Sequence, residues 1–402
     1  MLSDTSQKQH QENSFSRLAW KAGAATLCRL VLNTARRFAY PFAPALSRGL
    51  GVHLTAVTSL IAVNQGTSII GIFFGPLADR FGYRLMMLAG LVMLIIGMLA
   101  GGFLPFYSVI LLSFFLAGLA KTVFDPALQA YVGERVPFQK RGLVIGLLEF
   151  SWAGSTLIGI PGIAFLIDWF GWRSPFFVLG GFGIFGILAL IILIPGDKRK
   201  TGAHQDSLSV LNALRQLVQQ RAPLGTLGFA FLFAIANDNL FVVYGAWLEQ
   251  SFSLSIVALG MGTSIIGAAE LLGESLTASF ADRLGLKRSI IIGTILSVLC
   301  YVILPFSSQT LPLAFISLFV LFLIFEFTIV SLLSLSTELL PTSRATMMSG
   351  FFAAAGLGRV IGSLIGSHIW LAGGILSTGL VSGVICLMAL VSFVWGLQGR
   401  LR

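Results

Sequence analysis

The sequence predicts an all-α membrane protein in which twelve transmembrane helices form two pseudo-symmetric six-helix bundles. Three observations predict this fold: a very apolar composition, twelve apolar runs of membrane-spanning length, and a motif that occurs twice. Of the 402 residues, 56% are hydrophobic and 10% are charged, and the mean hydropathy is +0.91. Because soluble domains carry roughly 25% charged residues, this composition is typical of a chain with many membrane spans.

The twelve runs each approach or exceed the ~20 apolar residues that cross a bilayer as a helix. We number the predicted helices 1 to 12 in chain order: 22–47, 54–78, 84–104, 107–131, 142–167, 174–195, 224–248, 255–280, 288–307, 311–335, 345–369 and 373–396. The predicted division is an N-terminal tail, a first bundle, a linker, a second bundle and a C-terminal tail, at 1–21, 22–195, 196–223, 224–396 and 397–402.

The positions of Lys and Arg predict the orientation in the membrane. Of the 26 such residues, 19 lie in segments on the same side as both chain ends, and only Arg48 and Arg173 lie in loops on the other side. Cytoplasmic loops carry the excess of Lys and Arg in membrane proteins. We therefore expect both termini in the cytoplasm and the chain in a bacterial inner membrane, and we assign the net charge of +10 to topology rather than to nucleic-acid binding.

The repeated motif lies between predicted helices 2 and 3 and again between helices 8 and 9. Residues 75–84 are Gly-Pro-Leu-Ala-Asp-Arg-Phe-Gly-Tyr-Arg, and residues 279–288 are Ser-Phe-Ala-Asp-Arg-Leu-Gly-Leu-Lys-Arg. The offset between Asp79 and Asp282 is 203 residues. A second pair of landmarks follows in the same order, Glu134-x-x-Pro137-x-x-x-Arg141 and Glu338-x-x-Pro341-x-x-Arg344. The sequence therefore indicates two homologous halves.

We expect the repeated motif to form a cytoplasmic gate that holds the halves together in one conformation and opens in the other. Gly82 permits a turn that larger residues resist, and Asp79 can accept backbone N–H bonds at a helix start, where the helix dipole favours an anion. Arg84 can pair with Glu134. The alternative is a static anchor that only sets topology. The residues expected in the gate are Gly75, Asp79, Arg80, Gly82, Arg84, Glu134, Arg141, Asp282, Arg283, Glu338 and Arg344.

Charged residues near the middle of several helices predict a polar cavity. Each costs about 2.5–3.5 kcal/mol to insert and so needs a partner or water. The repeat offset places Arg36 near Asp238 and Lys121 within two residues of Glu326. The alternative is local pairing, for which Lys121 and Asp125, one helical turn apart, are suited. The residues expected around a substrate cavity are Arg36, Arg37, Tyr40, Lys121, Asp238, Tyr244, Glu326 and Arg359.

Four carboxylates are candidates for proton coupling. Glu270 and Glu274 share one face of helix 8, and two carboxylates in a low-dielectric site cannot both ionise cheaply. We therefore expect one of them, most favourably the deeper Glu270, to exchange a proton. Glu149 and Asp125 are the other candidates. Two alternatives remain: Glu274 joins the gate, or Glu270 forms a structural pair with Arg359.

The motif at 75–84 resembles the signature of the major facilitator superfamily between its helices 2 and 3. Pro41-x-x-Pro44 in helix 1 is similar to a proline pair of the drug:proton antiporter-1 group within that superfamily. Gly159-x-Pro161-Gly162 in helix 5 resembles the glycine-proline motif of antiporters, with a spacing that departs from it. The group often has an arginine in helix 4 three residues before a glycine. Here that position is Phe115, and Lys121 and Asp125 lie nearby instead.

This resemblance implies a secondary transporter that works by alternating access, not an enzyme. The favoured function is proton-coupled efflux of an amphipathic organic solute. The alternatives are a symporter or uniporter that imports an organic anion, and a lipid flippase or non-transporting receptor. No P-loop, Gly-x-x-x-x-Gly-Lys-Ser/Thr, is present in the sequence, and no cofactor or metal is expected. The expected partners are a small organic substrate, protons and the lipid bilayer, with the chain a monomer.

Overall fold

The computed structural model describes residues 23–135, 150–194, 217, 219–307, 309–340 and 344–398. Within these ranges every regular element is a helix. Ten helices are long and apolar enough to cross a membrane. Helix 1 is not among these ten because it is broken into two short pieces, and helices 11 and 12 count as one because no loop separates them. The twelve predicted membrane segments are therefore all present.

Among the first six helices, the described bounds follow the predicted runs to within a few residues, and the predicted start of helix 5 at 142 lies outside the described residues. Helix 1 consists of 23–37 and Ala43–Leu50, and helix 2 of Leu54–Gly66, a 3₁₀ stretch at Thr67–Phe73 and Phe74–Phe81. Helices 3 to 6 are Tyr83–Phe103, Tyr107–Arg135, 150–154 with a π stretch at Ser155–Gly159 and Ile160–Phe170, and Ser174–Leu193.

The second half repeats this plan. Helix 7 consists of Arg221–Phe241 and Tyr244–Phe252, and helix 8 of Ile256–Leu276, a π stretch at Thr277–Ala281 and Asp282–Leu284. Helices 9 and 10 are Leu286–Ser307 and Leu311–Leu339. Helices 11 and 12 form Arg344–Gly396, with non-helical backbone at Gly373 and Gly374 where the chain reverses.

Helices 1 and 7 are each interrupted, which the apolar runs did not indicate. Helix 1 is interrupted by a turn at 38–42 because Pro41 has no N–H to continue the helical ladder. Helix 7 is interrupted at 242–243, and it begins at Arg221, three residues before the predicted run. The two interruptions lie at corresponding places in the halves, and each adjoins a residue that takes part in the site described below, Tyr40 and Asp238.

Both copies of the repeated motif contain a glycine in the left-handed backbone region. Gly82 has φ 98° and Gly285 has φ 85°, a conformation that glycine adopts without the steric cost of a Cβ atom. Gly82 lies between helices 2 and 3, and Gly285 between helices 8 and 9. Because the two glycines are 203 residues apart, the same tight turn recurs in both halves, as the motif predicted for Gly82.

The halves pack against each other at the end that carries loops 51–53, 104–106, 171–173 and 253–255, which we call the outer end in accordance with the predicted topology. Helix 8 approaches helix 5 so closely that a Cβ atom on Gly260 would overlap Ala164. Helices 2 and 11 are joined by a 3.0 Å hydrogen bond between the hydroxyls of Thr58 and Ser367. The outer end is therefore closed in this structure.

Candidate functional site

A hydrogen-bond chain crosses between the halves at the middle of the membrane. Arg36 donates from Nη2 to Gln65 Oε1 at 2.7 Å, and Gln65 donates from Nε2 to Tyr40 Oη at 2.9 Å. Tyr40 donates to Asp238 Oδ1 at 2.8 Å. Arg359, on helix 11, lies on the other side of that carboxylate, with its Nε 3.9 Å from Oδ2. The break in helix 1 therefore places Tyr40 where it binds helix 7.

A second crossing bond joins helix 1 to helix 8. Arg37 donates from Nη2 to Glu270 Oε1 at 2.5 Å, and the two side chains are only 5% and 6% exposed. Thr156 of helix 5 donates to Glu270 Oε2 at 3.4 Å. The Arg37 guanidinium also lies over the Trp152 ring, 4.3 Å from its centroid. The expected alternative partner of Glu270, Arg359, is instead close to Asp238.

Glu326 of helix 10 lies near this second bond without joining it. Its carboxylate is repelled by Glu270 and Glu274 and attracted by Arg37. In the part of the chain that the structure describes, no ion pair within 4 Å is formed by Glu326. The Arg37 guanidinium therefore binds the buried carboxylate of Glu270 and attracts the half-buried carboxylate of Glu326.

Lys121 forms a local cluster on the first half. It donates from Nζ to Asp125 Oδ2 at 2.6 Å, one helical turn away, and Arg29 donates to Asp125 Oδ1 at 3.2 Å. The local pairing weighed as an alternative from the sequence is thus present, and Lys121 is engaged by Asp125 rather than by Glu326. The Asp125 side chain remains 18% exposed.

Aromatic rings line the space between the two crossing bonds. Phe241 contacts Tyr40 at a centroid distance of 4.5 Å and stacks on Tyr244 at 5.2 Å. Phe322 meets Phe241 edge-on at 5.3 Å. Tyr244 is fully buried and shares a 3.0 Å hydrogen bond with Thr263. The site therefore combines charged groups with apolar faces, which is the usual lining of a small-molecule site.

The predicted gate residues are only partly described. Gly82 forms the turn reported above, Arg84 donates to the Ile191 carbonyl of helix 6 at 2.7 Å, and Arg283 and Glu338 are exposed. Arg141 and the proposed proton carrier Glu149 lie outside the described residues. For six further gate residues the structure describes the backbone alone: Gly75, Asp79, Arg80, Glu134, Asp282 and Arg344.

Gln65 and Arg29 also belong to these clusters, although neither was predicted from the sequence as a site residue. Gln65 is 2% exposed and connects Arg36 to Tyr40. The signal was available, because a polar amide near the middle of an apolar helix is as costly without a partner as the groups that were selected. Among the described residues, no group of His, Cys, Asp and Glu is arranged to hold a metal ion.

Comparison with known proteins identifies the family. The Major Facilitator Superfamily profile matches residues 25–237 and again 226–400, and the chain belongs to that superfamily. It is 25% identical over 308 residues to the uncharacterized MFS-type transporter YceJ of Bacillus subtilis strain 168, covering 76% of this chain and 77% of YceJ. It is therefore a multi-pass membrane transporter and not an enzyme.

Two further comparisons extend over most of the chain. A multi-drug resistance efflux pump PmrA homolog of Lactococcus lactis subsp. lactis strain IL1403 is 25% identical over 370 residues, which is 88% of each chain. The crystal structure of the nucleoside transporter NupG superposes with a TM-score of 0.77 at 12% identity, covering 93% of this chain and 99% of that one. At this identity the structural likeness supports the fold alone.

Proposed function

We propose that this transporter exports amphipathic organic solutes in exchange for protons. The name of the PmrA homolog supports efflux, and the aromatic lining of the midplane site supports an amphipathic solute. The single observation that carries proton coupling is the arrangement of Arg37, Glu270 and Glu326. Arg37 binds Glu270 and also attracts Glu326, and the two carboxylates repel each other, so a proton bound by one of them would relieve this repulsion.

We infer the transport cycle from the bonds that join the two halves. In the present state the outer end is closed and Arg37 holds Glu270. At the midplane Asp125 and Arg359 stay 18% and 32% exposed, which suits entry of a solute from the inner end. A solute that engages Arg359 competes for its contact with Asp238, the carboxylate that accepts the crossing bond from Tyr40, and so allows the outer end to open. A proton taken up by Glu270 from outside then replaces the solute and permits the return, and it is released to the inside when the next solute binds.

The decisive test is transport by Glu270→Gln in proteoliposomes with an imposed pH gradient. Glutamine keeps the shape but cannot exchange a proton, so we expect solute exchange down its own gradient to persist while the response to the pH gradient disappears. Asp168→Asn, an exposed carboxylate at the outer end of helix 5, is the control and should respond as the wild type does.

The sign of the imposed gradient separates export from import. With the outside acidic, antiport moves solute out of the cell-like compartment, whereas symport moves it in. A fluorescent amphipathic anion and its neutral amide are suitable probes because both report by fluorescence. A Glu270→Gln variant that is still driven by the pH gradient would assign the coupling proton to another group. Import driven by outside acid would replace the proposal with symport.

We also propose that Arg48 and Glu249 form an outer gate. Arg48 donates to Glu249 at 2.6 Å between the outer ends of helices 1 and 7, and Arg48 is 58% exposed. An exposed pair contributes about 0.2–1 kcal/mol, so Arg48→Glu should slow transport only about 2–5-fold. The exchanged pair Arg48→Glu with Glu249→Arg should recover most of the rate. Equal rates in all three proteins would show that the pair has no role in gating.

A further inference from the structure

Among the described residues, Arg36 is a buried cation that forms no ion pair within 4 Å. It is 7% exposed, its Nη2 is bound to the neutral amide of Gln65, and its Nε has no hydrogen-bond partner. Removing a charge from water is costly unless a partner compensates it. An arginine held in this way therefore points to a partner that binds from outside the protein.

The two acids nearest to Arg36 are already engaged by other residues. Asp125 accepts from Arg29 and Lys121. Asp238 accepts from Tyr40 and lies beside Arg359. Among the described residues, the charges that act on Arg36 are those of Arg359, Asp125 and Asp238, together with Tyr40, and Arg359 repels it. Asp125 and Asp238 attract Arg36, but among the described residues no carboxylate serves Arg36 alone.

Arg36 and Arg359 come from opposite halves and both adjoin the Tyr40–Asp238 bond. Arg36 reaches Tyr40 through Gln65, and the Nε of Arg359 lies 3.9 Å from Oδ2 of Asp238. Arg359 is 32% exposed, so one of the two guanidiniums is open to an entering solute. Phe241 lies against the Tyr40 ring on the same side of this group, where it offers an apolar face to the rest of the molecule.

We propose that the substrate carries an acidic group, most simply a carboxylate, which binds between Arg36 and Arg359 while its apolar part lies on Tyr40 and Phe241. Guanidinium groups bind carboxylates through paired, charge-assisted hydrogen bonds. The inference rests on the proposed function and specifies its substrate class as amphipathic anions or zwitterions. It also separates two tasks, because the proton cluster of Arg37, Glu270 and Glu326 is a different set of side chains.

The test compares two fluorescent probes that differ only in the acidic group, dansylglycine and dansylglycinamide, binding to the purified full-length protein in detergent. We expect dansylglycine to bind at least tenfold more tightly. Arg36→Gln and Arg359→Gln should each remove most of this preference. Arg173→Gln, a substitution of the same kind at an exposed outer-loop arginine, is the control and should leave it unchanged.

The choice of variants distinguishes loss of the anion site from misfolding as the cause of a lost preference. Arg359 is partly exposed, so its replacement is tolerated more easily than that of Arg36, and Arg36→Lys keeps the charge and should retain part of the preference. Equal binding of the two probes, binding of neither, or a preference that survives both glutamine variants would overturn the proposal. A preserved preference without any response to a pH gradient would instead overturn proton coupling and leave the anion site standing.

Discussion

Arg37→Gln is expected to lower the free energy of unfolding by about 3–5 kcal/mol, the usual cost of leaving one partner of a buried ion pair without the other. The reason is the burial of Glu270, which is 6% exposed and takes its shortest hydrogen bond from Arg37. Its remaining partner in the structure, Thr156, is a neutral hydroxyl at 3.4 Å. Thermal unfolding of the purified protein in detergent measures the loss.

The double variant Arg37→Gln with Glu270→Gln distinguishes lost pairing from lost packing. Two buried amides of similar volume carry no uncompensated charge, so we expect the double variant to unfold much closer to the wild-type temperature than either single variant. A double-mutant cycle gives the coupling energy directly. Arg173→Gln should leave the unfolding temperature unchanged. Additive losses in the double variant would show that the pair contributes through packing and not through its charges.

The sequence predicted the helices better than the pairing of their charges. The length of an apolar run predicts a helix because a membrane span needs about the same number of residues wherever it occurs. The doubled motif adds the division into two halves. The break in helix 1 was not predicted, although Pro41 lies within it. The run remains apolar through the turn at 38–42, so hydropathy does not register the change of direction.

Which side chains pair depends on the direction in which each one points from its helix, whereas the repeat offset gives only positions along the chain. Arg36 and Arg37 are adjacent in sequence, but successive helical residues are about 100° apart around the axis. One consequently turns towards Gln65 on helix 2 and the other towards Glu270 on helix 8. The offset placed Arg36 near Asp238, whose charge acts on Arg36 in the structure, yet the side chain that binds Asp238 directly is Tyr40.

The partner of Lys121 is likewise a residue of its own helix and not the residue that the repeat offset indicated. The repeat placed this residue near Glu326, whereas Asp125 stands one helical turn away on the same helix and takes the ammonium at 2.6 Å. A partner on the same helix costs no rearrangement between the halves. Glu326 is consequently left beside Glu270, and this crowding of two carboxylates on Arg37 is visible only in three dimensions.

Gly260→Val should abolish transport and leave the outer end open. A Cβ atom at Gly260 overlaps Ala164 across the interface of helices 8 and 5, and overpacking of this kind costs about 1–3 kcal/mol. We expect helices 5 and 8 to separate at this point when the outer end opens, so that the whole cost falls on the closed conformation. At 1.4 kcal/mol per factor of ten, the closed population falls roughly 5- to 150-fold relative to the open one.

Labelling of a cysteine at position 264 by a membrane-impermeant maleimide, with the native cysteines replaced, reports this shift. Ser264 donates to the Leu157 carbonyl at 3.3 Å across the same interface, so opening of the outer end should speed its labelling several-fold. Gly162→Val is the matched control, because a Cβ atom at Gly162 on helix 5 meets no atom within 4 Å. If Gly260→Val transports at the wild-type rate, closure of helices 5 and 8 at this point is not a step of the cycle.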